Sequence, residues 1–524
     1  MRNETIRHYK AVHTWTGILC GLFLFVAFYA GALTVFAPSL TRWATPETLP
    51  ATPLEQVDGL IARAMEQVPL TREQFRIRLD ETEGNAAWVS WPKNGPASPR
   101  DKVPEVGAVL AADGSLTIVD LPHRELGEFI DTLHRTAGLP VDVELGSMFM
   151  GVVSALYFVA LVSGLIVLLP SLIKDLFVVR LGKNVKRFWL DAHNLVGLVC
   201  LPFHLIIAVT SVVFGLHDEI YAVMNPVTFQ GEIRQMFQRE SPFSAIKPDA
   251  EPAPLLPVTT LLQRVKETAP DFRPYMLEIR QAGTKGASVS VWGNDEQYLA
   301  YRTGLAVVNG ATGAVVNTDY VPELQGGYGS TVAAFFSLHF GTYGGEPVKW
   351  GYLVLGLAGA FVFYSGNLLW IESRRRHEKR STGPVTQSRS THVMAALTVG
   401  VCLGCVSGVS LAIIAGKLMP MLGDDPLPWQ NAAYYAALVL SVGWALVRGA
   451  ARATVPLLWA AALATGLIPL LALVEVLMPQ ANGDPGGLVL EAVALVGAIL
   501  LLWMARASAR RLRNGPRDSV WSAA

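Results

Sequence analysis

A mainly α-helical, multi-pass membrane protein with eight transmembrane helices and two exported α+β segments is the fold class this sequence predicts. Three observations predict it. The 524 residues are 51% hydrophobic and only 16% charged, with the apolar residues gathered into long blocks. Lysine and arginine cluster beyond alternate blocks. The first 370 or so residues contain one pattern written twice.

A bilayer core of about 30 Å takes roughly 20 helical residues. The stretches 15–37, 147–170, 192–216, 348–371, 392–416, 431–448, 455–478 and 487–505 reach that length. Eight spans put both termini on one side. Arg2, Arg7 and Lys10 precede the first, and Lys174, Arg180, Lys183, Lys186 and Arg187 follow the second. Arg374, Arg375, Arg376, Lys379 and Arg380 follow the fourth, Arg448 and Arg452 lie between the sixth and seventh, and Arg506, Arg510, Arg511 and Arg513 follow the eighth. Because cytoplasmic loops carry the excess of Lys and Arg, both termini are expected to be cytoplasmic. The first span reads as an uncleaved anchor: its apolar region is longer than a signal peptide's, and no small-x-small site comes before Pro38. Trp15, Trp189, Trp350 and Trp370 sit at expected span ends, where indole rings favour the headgroup region.

Several functions are excluded at this level. Positive and negative charges balance at 42 each, and no basic stripe alternates with aromatics, so nucleic acid is not an expected partner. All four cysteines fall in apolar spans, which leaves no disulfide for the exported segments. Cys402 and Cys405 form a CxxC pair, read as small buried apolar residues rather than as a redox or metal motif. No GxGxxG follows an expected strand and no P-loop occurs, so there is no NAD, flavin or ATP motif.

The repeat is clearest at the first and third spans. His13-Thr-Trp-Thr-Gly17-Ile-Leu-Cys20 and His193-Asn-Leu-Val-Gly197-Leu-Val-Cys200 share HxxxGxxC at an offset of 180. Each span leads into an exported segment, 38–146 and 218–347, of the same plan. The first reads as a helix over Leu54–Val68, strands over Phe75–Leu79 and Ala87–Trp91, and a turn at Asp113-Gly114. The second reads as a helix over Val258–Thr268, strands over Tyr275–Arg280 and Ala287–Trp292, and a turn at Gly310-Ala-Thr-Gly313. Both close on a Leu-His pair before the next span, Leu133-His134 and Leu338-His339. The chain therefore divides into a first repeat, 8–190, a second, 191–376, a further four-helix bundle, 392–506, and a cytoplasmic tail, 507–524.

Ionisable groups at membrane depth are costly and usually mark function. Copies related by a pseudo-twofold axis bring equivalent residues towards each other. His13 and His193 then face one another near the cytoplasmic side, and His134 and His339 near the exported side. Two facing imidazoles suit one haem iron, whereas a structural zinc wants four ligands close in space. The competing reading is four interfacial histidines bonded to backbone carbonyls or headgroups. His204, 11 residues after His193, competes for a place in the outer pair, although the repeat carries Leu24 at its position. Met148 and Met150, which open the second span, are read as packing residues rather than axial ligands. Glu475 and Glu491 in the added bundle are candidates for proton relay or quinol binding, against a plain interfacial role.

The HxxxG starts at His13 and His193, the Leu-His pairs at His134 and His339, and Phe340-Gly-Thr-Tyr-Gly-Gly345 resemble the PepSY-associated transmembrane helix family over about residues 8–376. The resemblance implies that the exported segments are PepSY-like domains of a bacterial inner-membrane protein. It extends to FoxB-like ferric-siderophore reductases, and so implies two b-type haems held by His13, His193, His134 and His339. A ferric siderophore is then the expected substrate, and a quinol or a separate cytoplasmic reductase the expected donor. Two other readings stay open. One is a non-redox membrane protein that binds or transports peptides, a peptidase or metal chelates, and the other is an electron conduit to a partner enzyme.

Overall fold

The computed structural model describes every residue except 1–2, 46–48, 81–84, 98–102, 112, 122–124, 173–179, 181–183, 240, 296, 300–303, 377–384, 478–487, 517 and 523–524. Arg2, Lys174, Lys183, Lys379 and Arg380 of the charge pattern lie outside the described residues. The chain forms two compact units, one of Met1–Pro46, Arg124–His217 and Trp350–Ala524, the other of Glu47–His123 and Asp218–Lys349.

The first unit is helical. It holds α1 (Asn3–Thr34), α2 (Ala37–Ala44), α5 (Leu126–Thr136), α6 (Val143–Leu168), α7 (Val185–Val199) and α8 (Leu201–Thr228) as far as a kink at Leu216. It continues with α12 (Gly345–Ser373) from Trp350, α13 (Arg389–Met421), α14 (Pro426–Arg448), α15 (Ala450–Leu477) and α16 (Leu488–Asn514). Seven helices among the described residues are long and apolar enough to cross a bilayer: α1, α6 with its short extension to Ser171, α8, α12, α13, α15 and α16. The stretch 431–448 is helical as α14 but is not one of the seven.

Small residues recur every fourth position along α13, at Ala396, Gly400, Gly404, Gly408, Ala412 and Gly416. This spacing lets two helix backbones approach closely without help from the hydrophobic effect. Cβ atoms on Gly400 and Gly404 would lie 2.7 Å from Val442 Cα and 3.0 Å from Ser441 Cβ, so α14 is seated directly on the ladder.

The expected third span is broken. Pro202 lacks the amide hydrogen that would continue the helix, and the chain leaves helical geometry at Cys200 (φ −88°, ψ 1°). His193 therefore sits on α7 and His204 on α8. Asn184 caps α7 by accepting from Arg187 N at 3.1 Å. Trp189, one turn before His193, packs its ring against Phe361 and Tyr364 of α12 at 6.3 and 6.1 Å.

The second unit is built on one antiparallel sheet. Its elements are β1 (Thr52–Pro53), α3 (Leu54–Gln67), α4 (Leu70–Glu73), β2 (Gln74–Leu79), β3 (Ala86–Pro92), β4 (Glu105–Leu110) and β5 (Leu116–Asp120). The second copy adds α9 (Ile233–Arg239), α10 (Val258–Thr268), β6 (Arg273–Arg280), β7 (Ser288–Asn294), β8 (Gly304–Asn309), β9 (Val315–Tyr320) and α11 (Gly327–Phe340). The strands run β5-β4-β3-β2-β6-β7-β8-β9, with β1 on β3. The two copies thus meet edge to edge at β2 and β6, where Ile77 pairs with Leu277. Each copy's inner strand covers the other's open edge, and unpaired strand edges are a liability that proteins manage explicitly.

Val57, Leu60, Ile61 and Ala64 of α3, and Val258, Leu261 and Val265 of α10, are buried at helical spacing in the core that also takes Phe75, Ile77, Leu277 and Ile279. The expected turns stand where the glycines place them, with Gly114 at φ +78° and Gly313 at φ +73°. Asp113 accepts from both the amide and the hydroxyl of Ser115, which holds its carboxyl below the usual carboxylate range.

Candidate bis-histidine centre

His13 on α1 and His193 on α7 come together as the repeat suggests. Their ring centroids are 6.2 Å apart and their planes 68° from parallel. Each imidazole is oriented by the backbone of a further helix. His13 Nδ1 lies 2.8 Å from Ala160 O on α6, and His193 Nδ1 lies 3.1 Å from Val362 O on α12. A carbonyl oxygen can only accept, so each Nδ1 carries the proton and the lone pair is left on Nε2. Such a contact fixes the tautomer and ring direction of a ligating histidine.

A second repeated motif makes these contacts. Ala160-Leu-Val-Ser163-Gly164 on α6 corresponds to Val362-Phe-Tyr-Ser365-Gly366 on α12, at an offset of 202. The first residue supplies the carbonyl. The serine donates back to that same oxygen, at 3.1 Å from Ser163 and 3.0 Å from Ser365. The glycine leaves space for the ring: a Cβ at Gly164 would come within 2.8 Å of His13 Cε1, and one at Gly366 within 3.5 Å of His193 Cε1. Ser365 Oγ is also 3.1 Å from His193 Nδ1, so that N–H has two acceptors where His13 has one. This motif went unread in the sequence, although comparing the second and fourth spans, as was done for the first and third, exposes it.

The other histidines are placed differently. His134 on α5 donates from Nδ1 to Ala27 O at 2.8 Å, and Gly31 on α1 makes room for it, since a Cβ there would be 2.7 Å from Nδ1. His339 lies on α11, with its ring 5.3 Å from that of Phe340. His134 belongs to the helical unit and His339 to the sheet unit, so each stands in its own surroundings. His204 is 1% exposed, ringed by Phe28, Phe203 and Phe363 at 5.6, 5.9 and 6.5 Å. Its Nδ1 bonds the Tyr157 hydroxyl, while its Nε2 is buried with no partner. Leu24, its counterpart in the repeat, is an ordinary core residue at 3% exposure.

The contact between Tyr157 and His204 depends on a close crossing of α6 and α8. A Cβ at Gly215 would lie 2.5 Å from Gly151 Cα and 2.6 Å from Ser147 O. Backbone cannot give way as a side chain can, so Gly215→Val should lower stability by about 3 kcal/mol. Thermal unfolding in detergent checks this, with Gly197→Val, where nothing lies within 4 Å, as the near-neutral comparison.

The remaining candidates do not join this centre. Met148 is exposed and Met150 packs against the helical core. Cys402 and Cys405 are buried free thiols of α13. Glu491 accepts from Trp43 Nε1 at 2.7 Å, and Lys417 of α13 donates to Trp43 O at 2.9 Å, which makes a buried polar group at the added bundle. Glu475 lies in α15, and its side chain is outside the described residues.

The donor set at this centre is two imidazoles. Among the described residues no group of three or more His, Cys, Asp or Glu is arranged to hold a metal ion. Two imidazoles holding one iron at about 2 Å each put their ring centroids roughly 6 Å apart, which matches His13 and His193. The pair thus has the donor type and the spacing that a haem iron takes, and the unpartnered Nε2 of His204 is a further donor of the same kind.

A model of the PepSY-associated TM region matches residues 11–373, which takes in nearly all of both repeats and the five candidate histidines. The chain is also 26% identical over 298 residues to the uncharacterized protein PA4219 of Pseudomonas aeruginosa, covering 53% of this chain and 71% of that one.

Proposed function

This chain belongs to the PepSY-associated TM family, and from that premise we propose that it is a haem-containing inner-membrane oxidoreductase that carries electrons across the bilayer to reduce ferric siderophores. The observation that supports this reading most is the His13 and His193 pair, with rings 6.2 Å apart and both Nδ1 groups engaged by backbone carbonyls.

His13 and His193 would hold one b-type haem, and His134, His339 and His204 are the candidate donors for a second. Bound haem supplies reversible one-electron exchange, while the protein sets potential and access through ligands, burial and hydrogen bonds. The carbonyls of Ala160 and Val362 keep each imidazole in the tautomer that presents Nε2. Gly164 and Gly366 keep the rings from being displaced. We count α14 as an eighth span because it is seated on the glycine ladder of α13, which leaves both termini cytoplasmic and the sheet unit periplasmic. The sheet unit then holds the ferric chelate. Reduction weakens a hard oxygen-donor chelate, because Fe(II) attracts its ligands less than Fe(III). Electrons come from a quinol or a separate cytoplasmic reductase.

The test is an absorption spectrum of the detergent-purified protein, oxidised and then reduced with dithionite. Sharp reduced α and Soret bands with two haems per chain are expected. A colourless protein would overturn the reading and favour binding or transport of peptides or chelates.

Ser365 offers a finer check. Removing one of the two acceptors of the His193 N–H makes the imidazole a poorer donor to ferric iron. A hydrogen bond of about 1 kcal/mol corresponds to roughly 40 mV for one electron. Ser365→Ala should therefore raise one midpoint potential by about that amount, and Ser163→Ala by less, in spectroelectrochemical titration.

A further inference from the structure

We propose that a cleft in the sheet unit, floored by Asp295, binds the primary ammonium group of a small organic ligand. The cleft has a volume of about 190 Å³ and is lined by Pro270, Asp271, Arg273, Asp295 and Gln297. At about 30 Å³ of liquid per water molecule, this is room for an aminoalkyl arm rather than for a single ion.

Its floor is electrostatically unfinished. Asp295 is 4% exposed, and its Oδ1 accepts from Gln297 N at 2.9 Å, but its Oδ2 is buried with no partner. Glu323, outside the cleft lining but close enough to Asp271 and Asp295 to feel their charges, has an Oε1 that is likewise buried and unpartnered. The Glu323 carboxyl is pushed above the usual carboxylate range, first by desolvation and then by the charges of Asp271 and Asp295, against a hydrogen bond from the Asp271 backbone. Arg273 lines the cleft, yet among the described residues no ion pair joins it to any of the three carboxylates. The first copy of the repeat closes its own corner instead: just past β3, Lys93 reaches Asp120 at 2.7 Å. Just past β7 the second copy has Asp295, and among the described residues no cation pairs with its Oδ2.

The free acceptors select the cation. Among the described residues no three carboxylates are arranged to hold a metal ion. A guanidinium prefers both oxygens of one carboxylate, and Asp295 has one oxygen already taken. An ammonium group directs three separate donors, which suits the single free oxygen of Asp295 together with other oxygens of the lining. Arg273 and Gln297 at the rim can then donate to a carbonyl or carboxylate elsewhere on the ligand. This proposal is independent of haem, and its test reads no haem signal.

The Glu323 carboxyl beside the cleft also predicts a stability signature. Glu323 holds its proton more tightly in the folded than in the unfolded protein, so its stabilisation is present at acid pH and lost as pH rises through its raised folded pKa. At neutral pH the unliganded Glu323 carboxylate therefore opposes folding, as expected of a residue kept for binding rather than for stability.

The experiment titrates the full-length protein in detergent at neutral pH with 6-aminohexanamide, its N-acetyl derivative and calcium chloride, by calorimetry and thermal shift. Expected are saturable binding of the amine with Kd of about 1 mM or tighter, none of the acetylated form, and affinity at least tenfold weaker in Asp295→Asn and Glu323→Gln. Both variants should melt no lower than the parent without ligand. The proposal is overturned by absence of saturable binding, by equal binding of the acetylated probe, or by displacement of the amine by equimolar calcium. Variants that melt well below the parent would also overturn it, because the carboxylates would then be structural.

Discussion

Replacing either His13 or His193 with alanine is expected to remove one whole haem per chain, and replacing both is expected to cost no more than replacing one. The reason is geometric. The two rings lie 6.2 Å apart and each has its Nδ1 held by a backbone carbonyl, so under the proposed function the centre would work as a unit with one ligand from each repeat. Groups that act as a unit are strongly non-additive. Haem counted from reduced-minus-oxidised spectra checks the result, with the exposed His8 on the same helix as the control. Gly164→Val should approach the same loss while leaving both histidines in place, since its side chain would stand where His13 Nδ1 and Cε1 now lie. Full retention of both haems in His13→Ala and His193→Ala would sink the assignment of this pair.

The pairing of His13 with His193 was legible because its signal is local. HxxxGxxC recurs on two spans, and symmetry converts the recurrence into proximity. The outer pair was less legible because His134 and His339 end helices of different units: α5 packs with α1, α2 and α6, while α11 belongs with the sheet. The alternation of apolar residues located β2, β3, β6 and β7, but pairing between copies is a long-range choice that no single strand encodes. The two expected exported domains consequently share one sheet. The third span looked continuous because Pro202 sits within an unbroken apolar run, yet a missing amide hydrogen counts for more than hydropathy in ending a helix. In α14 the opposite holds: its own composition is ordinary, and what marks it as a packed helix is the ladder of small residues on α13. Asp295 and Glu323 carried no sequence signal, since carboxylates near turns are commonplace and only burial without a partner sets them apart.

Arg76→Met should produce the largest loss of stability in the sheet unit. Arg76 of β2 stands directly opposite Glu278 of β6 at the junction between copies, with Nε 3.1 Å from Oε2, and its Nη1 also pairs with Glu105 of β4. The side chain of Glu278 is 2% exposed and that of Arg76 10%, so these charges have left water. Removing one partner of a buried pair costs about 3–5 kcal/mol, mostly because the other charge is stranded. Arg280, 2.8 Å from Glu278 Oε1 but 46% exposed, offsets part of this, which places the expected loss near 3 kcal/mol. In a domain of this size that is roughly 6–12 °C in Tm, read from thermal unfolding of the full chain in detergent. The double variant Arg76→Met, Glu278→Met should recover much of the loss, because it leaves no buried charge opposite the new side chain. Equal loss in the single and double variants would mean that packing, not charge, joins the copies. The outcome matters beyond stability. A slip of β2 against β6 by one residue would turn Phe75, Ile77 and Leu79 out of the core, and it would also separate Arg76 from Glu278, which stand opposite each other in the observed register.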